Sequence, residues 1–217
     1  MATRPVFEVS ADEKIFVRRD VQFKWFGGRT LEQIRTNIHG LHGIYLAAFP
    51  GKKILEISSK SEDALGVRLS AFNLMIRNGV SLESAFQGSK VFKSGGPYVD
   101  IIGKPSVYAK SDGRLKKSGA LIGFRYEDKD FPLNPPAYFY NWLYVTTLVA
   151  NKDLADELLA REFDAFTDIA FNPDKSLNCQ AQAAAIFVSL SRQKLLDAAL
   201  SDNENFLRTV YHERQRL

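Results

Sequence analysis

A strand-like pattern fills the first thirty residues and then stops. Val6, Phe7 and Val9, then Ile15 and Val17, then Val21, Phe23 and Trp25 alternate with polar neighbours until Gly27-Gly28 ends the run. Successive side chains of a strand point to opposite faces, so this pattern predicts a hairpin or small antiparallel sheet. The period then changes. Thr30 reads as a helix N-cap, and Leu31, Ile34, Ile38, Leu41 and Tyr45 recur at helical spacing as far as Pro50.

The rest of the chain reads as short strands giving way to helices. A strand is expected from Ile54 to Ser58, then the polar run Ser59-Lys60-Ser61-Glu62-Asp63, then an extended piece from Ala64 to Asn73. Asn78-Gly79 marks a turn before a helix from Ser81 to about Phe92, with Leu82, Ala85, Phe86, Ser89 and Phe92 facing inward. Lys93 to Pro136 is rich in Gly, Pro, Ser and Lys and reads as loops around a helical turn near Ser106 to Lys110 and a strand near Leu121 to Tyr126. Helices are expected over Tyr138 to Val149, Asp153 to about Phe166 and Cys179 to Leu200, with Asn172-Pro173-Asp174 as the turn between the last two. No repeat or low-complexity linker interrupts the chain, and its 217 residues fit one core, which serves up to roughly 250. The expectation is a predominantly helical α+β single domain, residues 1–217, with a small β-sheet.

Composition removes several classes of function. The single cysteine, Cys179, excludes an internal disulfide and a Cys-based zinc cluster. The start MATRPVFEVS has no apolar stretch after a basic beginning, and no run approaches the roughly 18 apolar residues of a membrane span, so a cytoplasmic protein with no membrane association is expected. The 29 basic against 25 acidic residues give a net charge of +4, which favours an anionic partner. The basic residues are scattered, with small clusters at Lys52-Lys53, Arg114 to Lys117 and Arg208 to Arg216. Phosphate-loop, dinucleotide-fold, nucleophile-elbow and zinc-protease motifs are all absent. His39 and His42 stand three apart on a helix without an acidic or Cys partner nearby in sequence, so neither a metal nor an organic cofactor is expected.

The segment Ser81-Leu82-Glu83-Ser84-Ala85-Phe86-Gln87-Gly88-Ser89-Lys90 has two faces. Opposite the apolar one, Glu83, Gln87 and Lys90 fall at i, i+4 and i+7. By pattern alone this is a solvated stripe with Glu83 suited to the helix dipole, or a functional one. The segment resembles the signature helix of the NADAR superfamily, also called YbiA-like, whose pattern is roughly S-E-x-x-F-Q-x-x-K; Glu83, Phe86, Gln87 and Lys90 match, and Leu82 departs from the small residue usual before the glutamate. Leu69-Ser70-Ala71-Phe72-Asn73 is similar to the family's L-S-N-F element with one residue inserted. Lys104 to Lys110 is similar to its S-P-x-x-A-[KR] turn, Trp142 to its helix tryptophan and Asn178 to its asparagine before the last helix. The usual W-G-x-G stretch is replaced by Phe166 to Phe171 and by Asn178 to Gln182. This variant resembles the branch of NADAR proteins found beside DarT toxins, as do the N-terminal extension, residues 1–28, and the element Ser58 to Ser61; residues 54–200 would form the NADAR core.

The resemblance implies an N-glycosidase that removes ADP-ribose from guanine bases in DNA, as antitoxin to a DarT-type DNA ADP-ribosyltransferase. Cleaving that bond needs stabilisation of the sugar carbon and transfer of a proton. Glu83 matches the family's catalytic glutamate. Lys60 is expected as a nucleophilic amine, or else is an ordinary loop cation beside Glu62 and Asp63. Asn73, Gln87, Lys90, Asp168 and Asn178 are expected to bind substrate, although Asn178 equally suits a helix cap. Trp142 either stacks on a base or belongs to the core. Arg68, Lys93 and Lys110, with Lys90, are candidates to hold DNA phosphates. Other readings are a glycosidase acting on a ribosylated metabolite or RNA, and a non-catalytic DNA-binding module.

Overall fold

The computed structural model describes residues 1–12, 14–76 and 79–211. Asn78 of the expected turn, His212 and the end of the basic stretch that finishes at Arg216 lie outside the described residues. The architecture is α+β, with helices packed around one mixed sheet and two small antiparallel ones.

The expected hairpin is present. Strand β1 (Ala2–Val9) pairs antiparallel with β2 (Phe16–Phe23) along its full length, and Val6, Phe7, Val21 and Phe23 are buried. Helix α1 (Leu31–Ala48) follows, opened by a capping box in which the Thr30 hydroxyl accepts from Gln33 N and the Gln33 side chain accepts from Thr30 N. Its Ile38, Leu41 and Tyr45 close over Val6, Val21 and Phe23. β3 (Ile54–Glu56) then enters the sheet, whose order is β2-β1-β9-β3, with β9 (Ala165–Thr167) at the centre. β9 runs antiparallel to β1 and parallel to β3.

Four expectations are corrected here. Ala64 to Asn73 is not extended: α2 (Ala64–Arg68) forms because Asp63 accepts from Leu65 N as N-cap and because Leu65 and Leu69 bury themselves. The helix expected over Ser81 to Phe92 is only α3 (Leu82–Gly88). Gly88 packs so close to Ile102 that a Cβ there would lie 2.3 Å from its side chain, and beyond it the chain becomes β6 (Lys90–Phe92). β6 pairs with β7 (Leu121–Tyr126), which pairs with β8 (Lys129–Phe131). The helix expected from Asp153 to Phe166 is α7 (Lys152–Ala160), stopped where Glu162 turns left-handed at φ 52°, and the apolar residues beyond it become β9. The last expected helix divides in the same way. α8 (Gln180–Arg192) ends before Lys194, at φ 57°, and α9 (Leu196–Leu200) starts afresh.

The remaining elements are the small hairpin of β4 (Met75–Ile76) with β5 (Val80–Ser81), a 3-10 turn at Val99–Ile101, the short helices α4 (Ser106–Ser111) and α5 (Arg114–Lys117), helix α6 (Tyr138–Ala150) and a final α10 (Asn203–Tyr211). Ten of the thirteen residues of α6 are buried, and it packs chiefly on α8. No helix among the described residues is long and apolar enough to cross a membrane.

An aromatic knot anchors α6 to the three-stranded sheet. The Phe139 ring lies 4.8 Å from the rings of both Phe124 and Phe131, with Phe86 of α3 at 6.1 Å. Removing a buried phenyl ring loses its transfer free energy and leaves a cavity. Phe139→Ala is therefore expected to lower unfolding stability by about 3–5 kcal/mol, read by chemical denaturation. A loss below about 1 kcal/mol would show that the knot does not hold these elements together.

Candidate active site

Helix α3 is buried along its whole length, so the polar stripe that pattern alone leaves open as a solvated face is in fact interior. Ser81 starts the helix by accepting from Ser84 N, and Glu83 N donates to Ala71 O at 2.9 Å, fixing the first turn against the Ala71-Phe72 turn. Glu83 is only 6% exposed. Its Oε1 accepts from Gln87 Nε2 at 3.0 Å, and Gln87 Oε1 accepts from Lys90 Nζ at 2.7 Å. Lys90 lies beyond the helix in β6, yet its ammonium returns to the same line over the Phe86 ring. Opposite stands Lys110 Nζ, 3.5 Å from Glu83 Oε1. α4 delivers it there because Ser106 Oγ donates to Ser81 Oγ at 2.7 Å, docking α4 on the start of α3.

These side chains line one wall of a cavity of about 310 Å³. Asp168, Gln180, Asn178 and Tyr140 line the others. Gln180 acts as a clamp: its Oε1 accepts from Ala71 N at 2.8 Å and its Nε2 donates to Ile57 O at 2.7 Å, joining the start of α8 to both the end of β3 and the Ala71 turn. Asp168 follows directly on β9, and its Oδ1 accepts from Ala170 N at 3.1 Å.

Behind Asp168 lies a buried polar chain. Thr167 Oγ1 is 2.6 Å from Glu56 Oε2 and 2.7 Å from His42 Nε2, while Ile169 N donates to Glu56 Oε1 at 2.9 Å. Burial pushes the Glu56 carboxyl up against the pull of these hydrogen bonds. Burial likewise raises Asp168, with the neighbouring Glu56 charge adding to it and the backbone N–H groups of Ala170 and Phe171 opposing. Two adjacent buried carboxyls resist ionising together, so Asp168 is held toward its protonated form. Burial lowers the Lys90 amine, helped by Lys110 and opposed by Glu83. The Tyr140 phenol is pushed well up by burial, then by Glu83, and remains an O–H donor facing the cavity.

The cavity thus unites Glu83, Gln87, Lys90, Lys110, Asp168 and Asn178 of the residues picked out from sequence, and leaves the others elsewhere. Lys60 sits on an exposed turn, where its carbonyl accepts from Arg35, and it does not line the cavity. Asn73 and Arg68 line a separate open cleft; Asn73 donates to Val67 O and Arg68 is ion-paired to Glu157. Lys93 is exposed in the loop after β6. Trp142 is buried between Phe131 and Phe139 and faces a third hollow with Tyr126 and Leu143. Asn178 precedes α8 but offers no side-chain cap, since Cys179 is the N-cap position. Sequence reading missed the site roles of Tyr140 and Gln180. Tyr140 lies two residues before Trp142, a spacing that puts it on a different face of α6, and Gln180 stands within the stretch that replaces W-G-x-G. Among the described residues no His, Cys, Asp and Glu group has metal-binding geometry.

The family model for the DarT1-associated NADAR antitoxin matches residues 2–216. The chain belongs to this family. No curated protein matches the sequence. The family signature coincides with the geometry: Glu83, Phe86, Gln87 and Lys90 all line this cavity of the NADAR antitoxin.

Burial also sets a pH limit on the fold. It lowers the His42 imidazole to about 4, with the charge of His39 contributing. As pH falls from about 6.5 to 4 the unfolded imidazole takes up a proton that the folded one refuses, so the stabilisation present above 6.5 is lost across that window. Glu56 and Asp168 act in the opposite sense, because groups raised by folding stabilise at low pH and lose that contribution as pH rises. The contribution of His42 is therefore isolated by comparison with His42→Gln. The wild type is expected to lose about 2–3 kcal/mol more than the variant between pH 6.5 and 4 in denaturant titrations. Parallel pH profiles would mean that the folded imidazole titrates freely.

Proposed function

We propose that this NADAR antitoxin is an N-glycosidase that removes ADP-ribose from ADP-ribosylated guanine bases in DNA, reversing the modification made by a DarT-type toxin. The observation carrying this reading is the single cavity in which Glu83 and the Lys90 amine, both on residues that match the family signature, meet the raised carboxyl of Asp168.

In this reaction the bond between ribose C1″ and the guanine nitrogen breaks and water is consumed. Asp168, held toward its protonated form, donates a proton to the departing guanine nitrogen. Lys90, whose amine burial keeps more readily neutral, forms the new bond to C1″ as the guanine leaves. Glu83 takes the proton lost by the attacking amine and offsets the positive charge developing on the sugar. The ring oxygen then departs as a hydroxyl, taking the proton held by Glu83, while the nitrogen gives its remaining proton to the Asp168 carboxylate, leaving an imine on the opened ribose. Water hydrolyses this imine, freeing ADP-ribose and restoring the amine. Lys90 takes this role in preference to Lys60 because its Nζ is one hydrogen bond from Gln87 within the cavity, whereas Lys60 lies on an exposed turn. Gln87, Asn178 and the Tyr140 hydroxyl are donors and acceptors for ribose hydroxyls, and Lys110 at the rim suits a phosphate.

Incubation with ADP-ribosylated guanine in DNA should release free ADP-ribose and unmodified guanine, detected by mass spectrometry. Intact substrate after prolonged incubation with folded protein would overturn the reading. Glu83→Gln should keep the fold while reducing turnover about 10²- to 10⁴-fold. Near-normal turnover would return Glu83 to a purely structural role, and tight binding of modified DNA without turnover by the wild type would favour a binding module.

The amine leaves a chemical trace. Borohydride added during turnover should reduce the imine to a stable adduct, placing the sugar mass on the peptide that contains Lys90, and Lys90→Arg should lose both trapping and activity. An adduct on the Lys60 peptide would move the nucleophile to that residue, and trapping nowhere would favour direct attack by water assisted by Glu83.

A further inference from the structure

The segment after β2 places two aromatic rings in solvent although nothing in the core requires it. Trp25 is 37% exposed and Phe26 40% exposed. They are not the tip of a loose loop. Asn37 of α1 is buried, and its amide holds the Phe26 backbone from both sides: Oδ1 accepts from Phe26 N at 2.8 Å, and Nδ2 donates to Phe26 O at 2.9 Å. The Thr30–Gln33 capping box secures the far end. A buried asparagine spent on the backbone of a residue whose own ring faces water fixes that ring in place without hiding it.

Cations accompany both rings. The Arg4 guanidinium stands 5.1 Å from the Trp25 ring centre, and Lys24 Nζ is 4.9 Å from that of Phe26. Arg4, Lys24 and Arg29 form no ion pair among the described residues, whereas Arg18 and Arg19 on the preceding strand are paired with Asp20 and Glu8. Arg4 Nε is buried and has no hydrogen-bond partner. Arg4 stands on β1 three residues before Phe7, which pairs antiparallel with Phe166, so the patch lies beside the chain that leaves β9 and carries Asp168 into the cavity. The core side agrees: Phe23, whose ring meets Trp25 edge-on at 6.0 Å, packs in the same cluster as Ile169, the neighbour of Asp168.

We propose that Trp25 and Phe26, with Arg4 and Lys24, form a stacking platform for the bases of single-stranded DNA that flank the modified nucleotide. Flat exposed rings that are backed by unpaired cations, rigidly held and close to the reacting centre have the composition that binds single strands irrespective of sequence: the rings take base faces and the cations take phosphates. The platform holds the strand on either side while the modified base occupies the cavity, which an intact duplex does not permit. This inference rests on the reading of DNA as the substrate carrier.

The test uses the full-length protein and four probes: an unmodified fluorescein-labelled single-stranded oligonucleotide, an oligonucleotide carrying ADP-ribosylated guanine, the same modification on guanosine alone, and free ADP-ribose. Trp25→Ala should weaken binding of the unmodified strand about 5- to 100-fold, the range expected for losing one base–aromatic stack. It should raise KM for the modified oligonucleotide to a similar extent but not KM for the modified guanosine. Trp25→Phe, which retains a ring, should recover most of the affinity and guards against a folding defect. Unchanged strand affinity in Trp25→Ala, or no strand binding by the wild type, would overturn the proposal. An equal loss for free ADP-ribose would also overturn it, because the rings would then be holding the adenine of the leaving group. Failure of the wild type to cleave either modified substrate would count against the glycosidase reading alone, since strand binding still decides the platform.

Discussion

Strand β9 is only three residues long, yet the site hangs on its pairing. It fills the gap between β1 and β3, and Glu56 on β3 reaches across to the Thr167 hydroxyl and the Ile169 amide on either side of Asp168. A fully buried carboxyl is costly unless its lone pairs are met, and here both oxygens are. The same contacts that satisfy Glu56 fix the direction in which the chain leaves the sheet. Asp168 is carried into the cavity by that exit, and its carboxyl is raised first by burial and then by the neighbouring Glu56 charge.

The opposite wall is assembled by capping. Ser81 starts α3 and also receives Ser106, so one side chain sets both the helix bearing Glu83 and the turn bearing Lys110. Gln180 closes the remaining side by holding Ile57 and Ala71 together. The elements that carry Glu83 and Lys110 are thereby tied together through Ser81 and Ser106, while Gln87 joins Glu83 to Lys90 and the Ala170 amide holds Asp168. Such an arrangement keeps a site in register before substrate arrives.

Much of this was legible in the sequence where local signals are strong. The N-terminal alternation, the Thr30 cap with its helical run, and the apolar α6 all fold as their periods indicate. The misreadings fall where a period is interrupted by geometry that composition does not display. Gly88, the last residue of α3, is a glycine because Ile102 leaves no room for a Cβ, and Glu162 and Lys194 end α7 and α8 by turning left-handed. β9 went unread as a strand because three apolar residues are too few to show any period. In the site, the spacing of Glu83, Gln87 and Lys90 was visible but its burial was not, since the covering groups come from residues 106–110 and 168–180. For Lys60, neighbouring sequence gives no sign of which way the turn faces.

The sheet also imposes a schedule on synthesis. β1 and β2 leave the ribosome before β3 and β9 and can pair at once, but Phe7 must await Phe166 before the sheet has its centre. Contacts so remote in sequence carry a loop-closure cost that is repaid late. Until the last quarter of the chain has emerged, Glu83 and Lys90 exist without Asp168 or the Gln180 clamp. The candidate site is therefore incomplete on a nascent chain that has not yet released α8. A chain cut short of α8 would lack the Gln180 clamp, and one cut short of β9 would lack Asp168 as well, however well its first hairpin had paired.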